Sequence, residues 1–394
     1  VRTVTSLTVG VLQETAAGEH RVALDPGSVK VLVAAGRVVL IEAGAGAAAS
    51  YPDALYVSAG ARIVTRDDMV ANSDVVAVVR PPDAKLVAAL REGQMLLGLL
   101  DPLNHGAIVQ QLADRRVTIV AFEMIPRTLS RAQSMDALSS QSSTAGYRAA
   151  IVAAEAFGRY LSMMVTASGT ATPAKVIVIG AGVAGLQAIA TCQRLGAIVT
   201  GYDVREASRG EVESLGAKFV APSVANGAGA GGYARALTDV EQQAQQAELD
   251  KLLEAFDVII TTAKVPGHAP PVLVSSVTLA KLRPGSVCVD LGASDKGGNV
   301  AGSIDGKRIV TAGGVTIIGG GELAADLPTS SSQMYGRNVT AVIASLYPAD
   351  VLVIDPNDEV HRHIVVASGG LITNTSVRDA LAPVEHRLVT TAAS

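Results

Sequence analysis

The chain has 394 residues, 49% of them hydrophobic and 17% charged, with a formal net charge of −4. That length suggests two or three domains with ample material for cores, and the mild acidity removes any electrostatic case for binding nucleic acid or an anionic membrane surface. The 39 glycines and the absence of tryptophan suit tightly packed α/β layers, while Cys192 and Cys288, isolated in apolar surroundings, read as reduced core thiols.

No signal-peptide pattern precedes Leu7, so a cytosolic protein is expected. From there strands are predicted at Leu7–Leu12, Val38–Glu42, Arg62–Val64, Val75–Val79, Met95–Leu100 and Val117–Phe122. Helices are predicted near Pro26–Ala35 and Gly106–Asp114. Such alternation implies a parallel sheet covered by helices on both faces. This half carries no GxGxxG, so it is α/β without a nucleotide fingerprint.

Residues 126–148 follow, where uncharged polar groups crowd the start of a long helix predicted from about Asp136 to Met164. Asp136, Ser139, Ser140 and Ser143 fall at helical spacing on one face. A solvated face would be rich in Glu and Lys. Neutral donors and acceptors suit a carboxamide such as that of nicotinamide, which Gln133 could pair directly while Arg127 orients Asp136 or meets a phosphate. The plainer alternative is a helix start capped by Ser134 and packed with small residues.

The stretch from Lys175 to Asp203 reads as strand, glycine turn, helix, strand and acid. Val176–Ile179 is a buried β-branched run, Gly180, Gly182 and Gly185 have GxGxxG spacing, and the helix runs to a stop at Gly196. Ile198–Tyr202 ends at Asp203. In this pattern the first glycine permits the tight turn, the second lets a pyrophosphate approach, and the third lets helix and strand pack. The helix N-terminus offers free N–H groups to the diphosphate. Asp203 is placed to accept ribose hydroxyls and to repel a 2′-phosphate, which favours NAD(H) over NADP(H). Arg205 is read as a solvated residue past the strand end. Val176–Gln193 is uncharged and long enough to resemble a membrane span of roughly 20 apolar residues, but three glycines and the strand-like start argue for the dinucleotide turn.

Beyond it, 221–236 is Gly/Ala-rich and fits either a flexible linker or a lid anchored by Tyr233, and Thr238–Ala255 reads as a Gln-rich amphipathic helix. Further strands are predicted at Val258–Thr262, Val287–Leu291, Ile309–Val310 and Thr316–Ile318, then a returning helix at Ser330–Leu346. The piece from Val351 to Ala367 should complete the first domain. The expected fold is therefore α/β, with two Rossmann-like doubly wound domains and a cleft between them. The first domain is discontinuous (1–137 plus 328–394), and the NAD(H)-binding domain (138–327) is inserted in it. SDVVAVVRPP with GQMLLGLLDP weakly echoes FDVIITTAKVPG with GSVCVDLGAS, either by duplication or by convergence of two α/β units.

With RAQSMDALSSQ, AGYRAA, VIGAGVAGLQAIATCQRLGA, YDVRE, AGGYA, DVIITTA, KLRPGSVCVDL and LPTSSSQMYGRN in place, nearly the whole chain resembles the NAD(H)-binding domain I component of proton-translocating nicotinamide nucleotide transhydrogenases. RAQSMDALSS and AGGYA are more specific to that family than the glycine turn. The resemblance implies that Arg127, Gln133, Asp136 and Ser139 hold the nicotinamide end. Gly180, Gly182, Val183, Gly185, Asp203 and Val204 would hold the diphosphate and adenosine, with Thr262 and Ala263 beside them and Gly232 and Tyr233 on a mobile loop. It further implies a homodimer passing hydride from NADH to NADP⁺ on a partner domain III. A membrane subunit would couple this to proton flow and hold the complex at the cytoplasmic face of the membrane. The chain ends soon after the returning helix, which suggests the split-subunit form. Three features depart from the family pattern: an extra residue between Pro126–Arg127 and RAQ, Lys264 in place of an apolar residue, and the SDKGGN turn.

Direct hydride transfer between nicotinamide rings moves no proton at the reacting carbons, so positioning and water exclusion suffice. That suits a chain whose six histidines lack a catalytic setting. His361 and His363, alternating on a predicted strand, read as surface residues rather than a metal pair. The alternative is an alanine dehydrogenase-like enzyme, which the resemblance expects to need a Lys and a His where this chain has Val78, Arg80 and Asp101. A non-catalytic NAD-binding module is a third reading.

Overall fold

Short β-branched runs alternate along this chain with helices, several of which begin at acid or hydroxyl caps. The computed structural model describes residues 6–223, 238–264 and 269–381. The chain divides into two units, Val1–Gln141 with Leu327–Ser394, and Ser142–Asp326.

The first unit starts with β1 (Thr8–Val11), α1 (Pro26–Ala34), β2 (Val38–Glu42), α2 (Asp53–Ser58), β3 (Arg62–Val64) and α3 (Arg66–Asn72). It continues with β4 (Val75–Ala77), α4 (Ala84–Ala89), β5 (Met95–Gly98), α5 (Gly106–Asp114) and β6 (Thr118–Ala121). Caps explain the starts: the Asp25 carboxylate accepts the N–H groups of Gly27 and Ser28 below Pro26, and Thr65 and Asp83 do the same for α3 and α4. The three helices α2, α3 and α4 were not predicted; six or seven residues are too few to show a repeat.

Next, α6 (Ala137–Ala156) runs from the first unit into the second. It is shorter than predicted. Phe157 is buried in the core and Gly158 follows it, a costly residue to keep helical. The chain then forms a hairpin of β7 (Met164–Thr166) and β8 (Gly169–Ala171), so Met164 lies on a strand.

The second unit proceeds through β9 (Lys175–Ile179), α7 (Val183–Arg194), β10 (Ile198–Tyr202), α8 (Arg209–Ser214), β11 (Lys218–Val220) and α9 (Asp239–Leu253). It ends with β12 (Val258–Thr261), α10 (Ser276–Lys281), β13 (Val287–Asp290), β14 (Arg308–Val310) and β15 (Thr316–Gly319). Back in the first unit come α11 (Pro328–Leu346), α12 (Glu359–Ile364), β16 (Val365–Ser368), β17 (Leu371–Ile372) and α13 (Thr375–Leu381). His361 and His363 therefore sit on a helix, not a strand, because the Asp358 carboxylate caps the N–H groups of Val360 and His361. His361 is also buried rather than on the surface, its ring bonded to Ser345 Oγ at 2.9 Å and to the Asp355 N–H at 3.2 Å.

The first sheet has the order β17-β16-β6-β5-β4-β1-β2-β3, parallel from β6 to β3, with β16 antiparallel to β6. The second has the order β11-β10-β9-β12-β13-β15-β14, parallel except for β14. Alternate residues feed separate cores on the two faces of each sheet: Val75, Ala77 and Val79 face one, Val76 and Val78 the other. In both sheets the first strand lies between the second and the fourth of that sheet, so the order in which strands are added reverses there. Ligands of open α/β sheets bind beyond strand C-termini at that reversal. Among the described residues no helix is long and apolar enough to cross a membrane, and Val176–Gln193 divides between β9, its turn and α7.

Candidate functional site

In the second unit the reversal point lies between β9 and β12, and the three glycines there differ in physical role. Gly180 has φ 99°, and a Cβ on it would come 2.3 Å from Thr262 Oγ1. A Cβ on Gly185 would lie 1.8 Å from the Gly180 carbonyl oxygen. Both are demanded by the protein's own packing. A Cβ on Gly182 would meet nothing within 4 Å among the described residues, so their packing does not require a glycine there and the backbone is open to approach. Gly182 is the N-cap of α7, and Val183 opens the helix. The first-turn N–H groups have no intrahelical acceptor, and the helix dipole adds about half a positive charge there. Open backbone, free donors and positive potential fit a diphosphate.

Asp203 follows β10 and is buried. Its carboxylate accepts the Ala181 N–H at 2.7 Å and the Arg205 N–H at 2.8 Å. It also accepts Arg205 Nε at 3.1 Å and Nη2 at 3.0 Å. Burial acts to raise its pKa, but Arg205 and the two N–H groups outweigh burial and hold it below the usual carboxylate range. Arg205 is thus not merely a solvated strand-end residue: its fork folds back onto the acid. Val204 between them is exposed.

On the other side of the turn, Thr262 Oγ1 lies 3.2 Å from both the Ile179 and Gly180 carbonyl oxygens, tying the β12 end to the turn. Ala263 is held through both backbone groups by the Asn299 amide, at 3.0 and 2.9 Å. Asn299 is fully buried and also donates to the Pro271 carbonyl at 2.8 Å, which gives the SDKGGN turn a structural role. Fully buried Asp290 accepts Thr261 Oγ1 and the N–H groups of Gly292 and Val300. Lys264 Nζ donates to the Gly321 carbonyl at 3.0 Å. Gly232, Tyr233 and the VPG motif at 265–267 lie outside the described residues. The thiols of Cys192 and Cys288 are buried, and burial pushes both up to about 12.

In the first unit, Arg127, Asp136 and Ser139 come together. Arg127 Nε lies 3.4 Å from Asp136 Oδ2, and Nη2 donates to Ser139 Oγ at 3.1 Å. The Asp136 carboxylate accepts both the Ser139 N–H (2.9 Å) and its hydroxyl (2.6 Å). Asp136 is therefore the cap of α6, not Ser134, because it stands immediately before the first helical residue, Ala137, and its carboxylate accepts the N–H three residues on. Ser140 leaves this group and bonds Asn338 of α11 instead. Gln133 stands apart on a 3₁₀ turn, Ser130–Met135; it is exposed, and its side chain makes no hydrogen bond among the described residues. The turn is clamped from outside by Arg131, which forks onto Asp358 at 2.5 and 2.6 Å. An exposed primary amide can pair with a neutral carboxamide, whether or not the Arg–Asp–Ser group takes part.

The strand ends of the first unit are filled differently. Arg21 forks onto Glu19 (2.7 and 2.6 Å) and reaches Gln141 Oε1 at 2.9 Å, with the Arg21 and Glu19 side chains each 2% exposed. Arg80 lies 3.7 Å from the same Glu19. Tyr335, wholly buried on α11, donates to the Val78 carbonyl (2.7 Å) and accepts the Leu99 N–H (3.2 Å). Asp101, at φ 44°, is engaged by the Asn104 amide at 2.9 and 3.0 Å. Of these, the sequence singles out Val78, Arg80 and Asp101, as the positions where a dehydrogenase would need other residues; Glu19, Arg21 and Tyr335 carry no signal there. Among the described residues no group of three His, Cys, Asp or Glu side chains could hold a metal ion.

With this geometry in view, two family models match: alanine dehydrogenase/PNT, N-terminal domain, over residues 10–145, and alanine dehydrogenase/PNT, C-terminal domain, over residues 149–375. An NAD(P) transhydrogenase subunit alpha chain of Rhodospirillum rubrum is 40% identical over 380 residues, covering 94% of this chain and 98% of that one. The crystal structure of a transhydrogenase from Sinorhizobium meliloti superposes with a TM-score of 0.82 at 37% identity, covering 94% of this chain and 99% of that one. An alanine dehydrogenase of Mycobacterium tuberculosis (strain ATCC 25618 / H37Rv) is 33% identical over 305 residues, covering 75% of this chain and 74% of that one. These matches agree with two Rossmann-like α/β domains.

Proposed function

Since this chain belongs to the alanine dehydrogenase/PNT family, with relatives named NAD(P) transhydrogenase subunit alpha along nearly its full length, we propose that it is the NAD(H)-binding component of a proton-translocating NAD(P) transhydrogenase. The observation that carries this reading is Gly182, whose backbone no described residue crowds, at the open N-terminus of α7. Gly180, Gly182, Val183 and Gly185 cradle the diphosphate, and Asp203 with Val204 meets the adenosine ribose. Thr262 and Ala263 border the turn. Gln133 pairs with the nicotinamide carboxamide, held beside Arg127, Asp136 and Ser139. Gly232 and Tyr233 belong to the same set by resemblance alone.

When bound, NADH supplies a hydride from its nicotinamide ring to NADP⁺ carried on a partner domain III. The chain's own part is to bind, orient and exclude water; no side chain has to move a proton. The chain works as a homodimer, at the cytoplasmic face of the membrane, through subunits that couple the reaction to proton flow. An amino-acid dehydrogenase is disfavoured by Asp101 and by buried Val78 at the strand ends where that chemistry needs a base and a substrate-binding cation.

The test mixes this chain with an NADP(H)-binding transhydrogenase domain and follows hydride transfer from NADH to an NADP⁺ analogue, with alanine plus NAD⁺ as control. Transfer that needs both proteins supports the reading. Alanine-dependent NADH formation by this chain alone overturns it in favour of the dehydrogenase, and NADH binding without transfer to cognate partners reduces it to a binding module.

A further inference from the structure

Two groups at the candidate nicotinamide turn, the Ser134 carbonyl and the Ser140 hydroxyl, point into the protein. Both end on one side chain. Asn338, on α11 and 6% exposed, donates Nδ2–H to the Ser134 carbonyl at 2.8 Å and accepts the Ser140 hydroxyl on Oδ1 at 2.7 Å. A carbonyl only accepts, so the two partners fix which end of the amide faces which. Ser134 directly follows Gln133, and Ser140 directly follows Ser139. The stretch between these anchors contains the whole Asp136 cap.

We propose that Asn338 is a positioning residue that sets the Gln133–Ser139 turn in the geometry needed to recognise a nicotinamide carboxamide. The inference rests on the transhydrogenase reading above. Leu129, Ala132, Met135 and Ala137 pack the turn against the core, but apolar packing does not fix the aim of its polar groups. Among the described residues its other long-range polar anchor is the Arg131–Asp358 fork, whose Arg131 side chain is 52% exposed; it holds the turn from the solvent side, whereas Asn338 holds it from the buried side. Ala132 and Ala137 are buried without polar groups to direct them. Asn338 fixes the distance between the 3₁₀ turn that carries Gln133 and the first turn of α6 that carries Ser139. A hydrogen bond weakens steeply as its partner moves out of line, so loss of the bridge is felt at the nicotinamide end, where this turn lies, and not at the diphosphate.

The experiment compares NADH with ADP-ribose, which carries the diphosphate and ribose but no nicotinamide. Affinities of the full chain and of Asn338→Ala, Ser140→Ala and Gln133→Ala are measured by NADH fluorescence and by competition, with thermal unfolding alongside. Asn338→Ala should weaken NADH by up to roughly tenfold, the order of one hydrogen bond, and leave ADP-ribose unchanged, and Ser140→Ala, which cuts one end of the bridge, should show a smaller loss of the same selectivity. Equal weakening of both ligands, or no change in either, overturns the proposal if Gln133→Ala remains selective against NADH. If Gln133→Ala is itself unselective, the nicotinamide reading fails first. Should Asn338→Ala not fold, Ser140→Ala decides: a selective loss supports the bridge, and unchanged ligand ratios overturn it.

Discussion

The two units build one end of their sheets alike and the other end in opposite ways. At the start of β4 the Asp74 carboxylate accepts the Thr8 N–H at 2.9 Å, and at the start of β12 Asp257 accepts the Lys175 N–H at 2.9 Å. A six-residue helix follows in each, capped by Asp83 in one and Ser275 in the other, and each closes on a leucine N–H, that of Leu90 or Leu282. This is the SDVV/FDVI echo of the sequence, extended to matching hydrogen bonds. Beyond the first strand the likeness stops. After β9 the chain turns through bare glycine into an open helix N-terminus, whereas after β1 it lays Glu14, Glu19 and Arg21 into the space and delays its helix to Pro26. One framework therefore accepts either a charged plug or a ligand cradle at its reversal point. Binding function is read from that end and not from the fold.

The comparison breaks most sharply if the plug proves dispensable. Arg21→Ala leaves buried Glu19 beside Glu14 with Arg80, 3.7 Å away, as its remaining cation among the described residues, and breaking a buried pair costs up to about 3–5 kcal/mol. Chemical denaturation should show a markedly lower midpoint; an unchanged midpoint would mean the charges are not structural. In the other unit, Gly185→Ala drives a Cβ into the Gly180 carbonyl and should cost about 1–3 kcal/mol. Gly182→Ala should leave thermal stability within about 0.5 kcal/mol while NADH affinity falls at least roughly tenfold, the loss expected where backbone must approach a phosphate. A stability loss at Gly182 as large as at Gly185 would erase the distinction between packing and ligand glycines.

Acid titration sharpens the contrast further. Burial pushes Glu14 and Glu123 each up to about 7 from an ordinary 4.5; the Val79 N–H opposes this at Glu14, and the Asp101 N–H opposes it at Glu123. Glu123 Oε2 is buried without a hydrogen-bond partner. The fold favours the neutral acids, so their contribution is fully present below pH 4.5 and is lost as pH rises through about 7. Glu14→Gln and Glu123→Gln, neutral throughout, should flatten the fall in melting temperature across that window. A pH profile indistinguishable from that of the parent chain would refute the assignment. The smallest effect concerns Arg205→Ala, which strips the fork from Asp203. The bared carboxylate should repel a 2′-phosphate more strongly and widen the preference for NADH over NADPH by about the tenfold of one charge contact or less. Competition titration with both nucleotides reads it.

The segment from Lys175 to Asp203 could be read directly, with Ile198–Tyr202 a strand to the residue. Strand alternation, glycine spacing and the closing acid are decided by neighbours within a few positions. The same locality explains β2 and β3, whose bounds match the β-branched runs Val38–Glu42 and Arg62–Val64. What a residue pairs with followed other rules. Asp136 rather than Ser134 caps α6, Arg205 closes on Asp203, and His361 sits in a capped helix against Ser345. Tyr335 ties together two strand ends more than 230 residues away in sequence, and Asn338 reaches Ser134 across 204 positions. Periodicity and turn chemistry act along the chain and leave their mark in it. Buried polar groups take whichever partner packing brings within 3 Å or so, and only the tertiary structure chooses that partner.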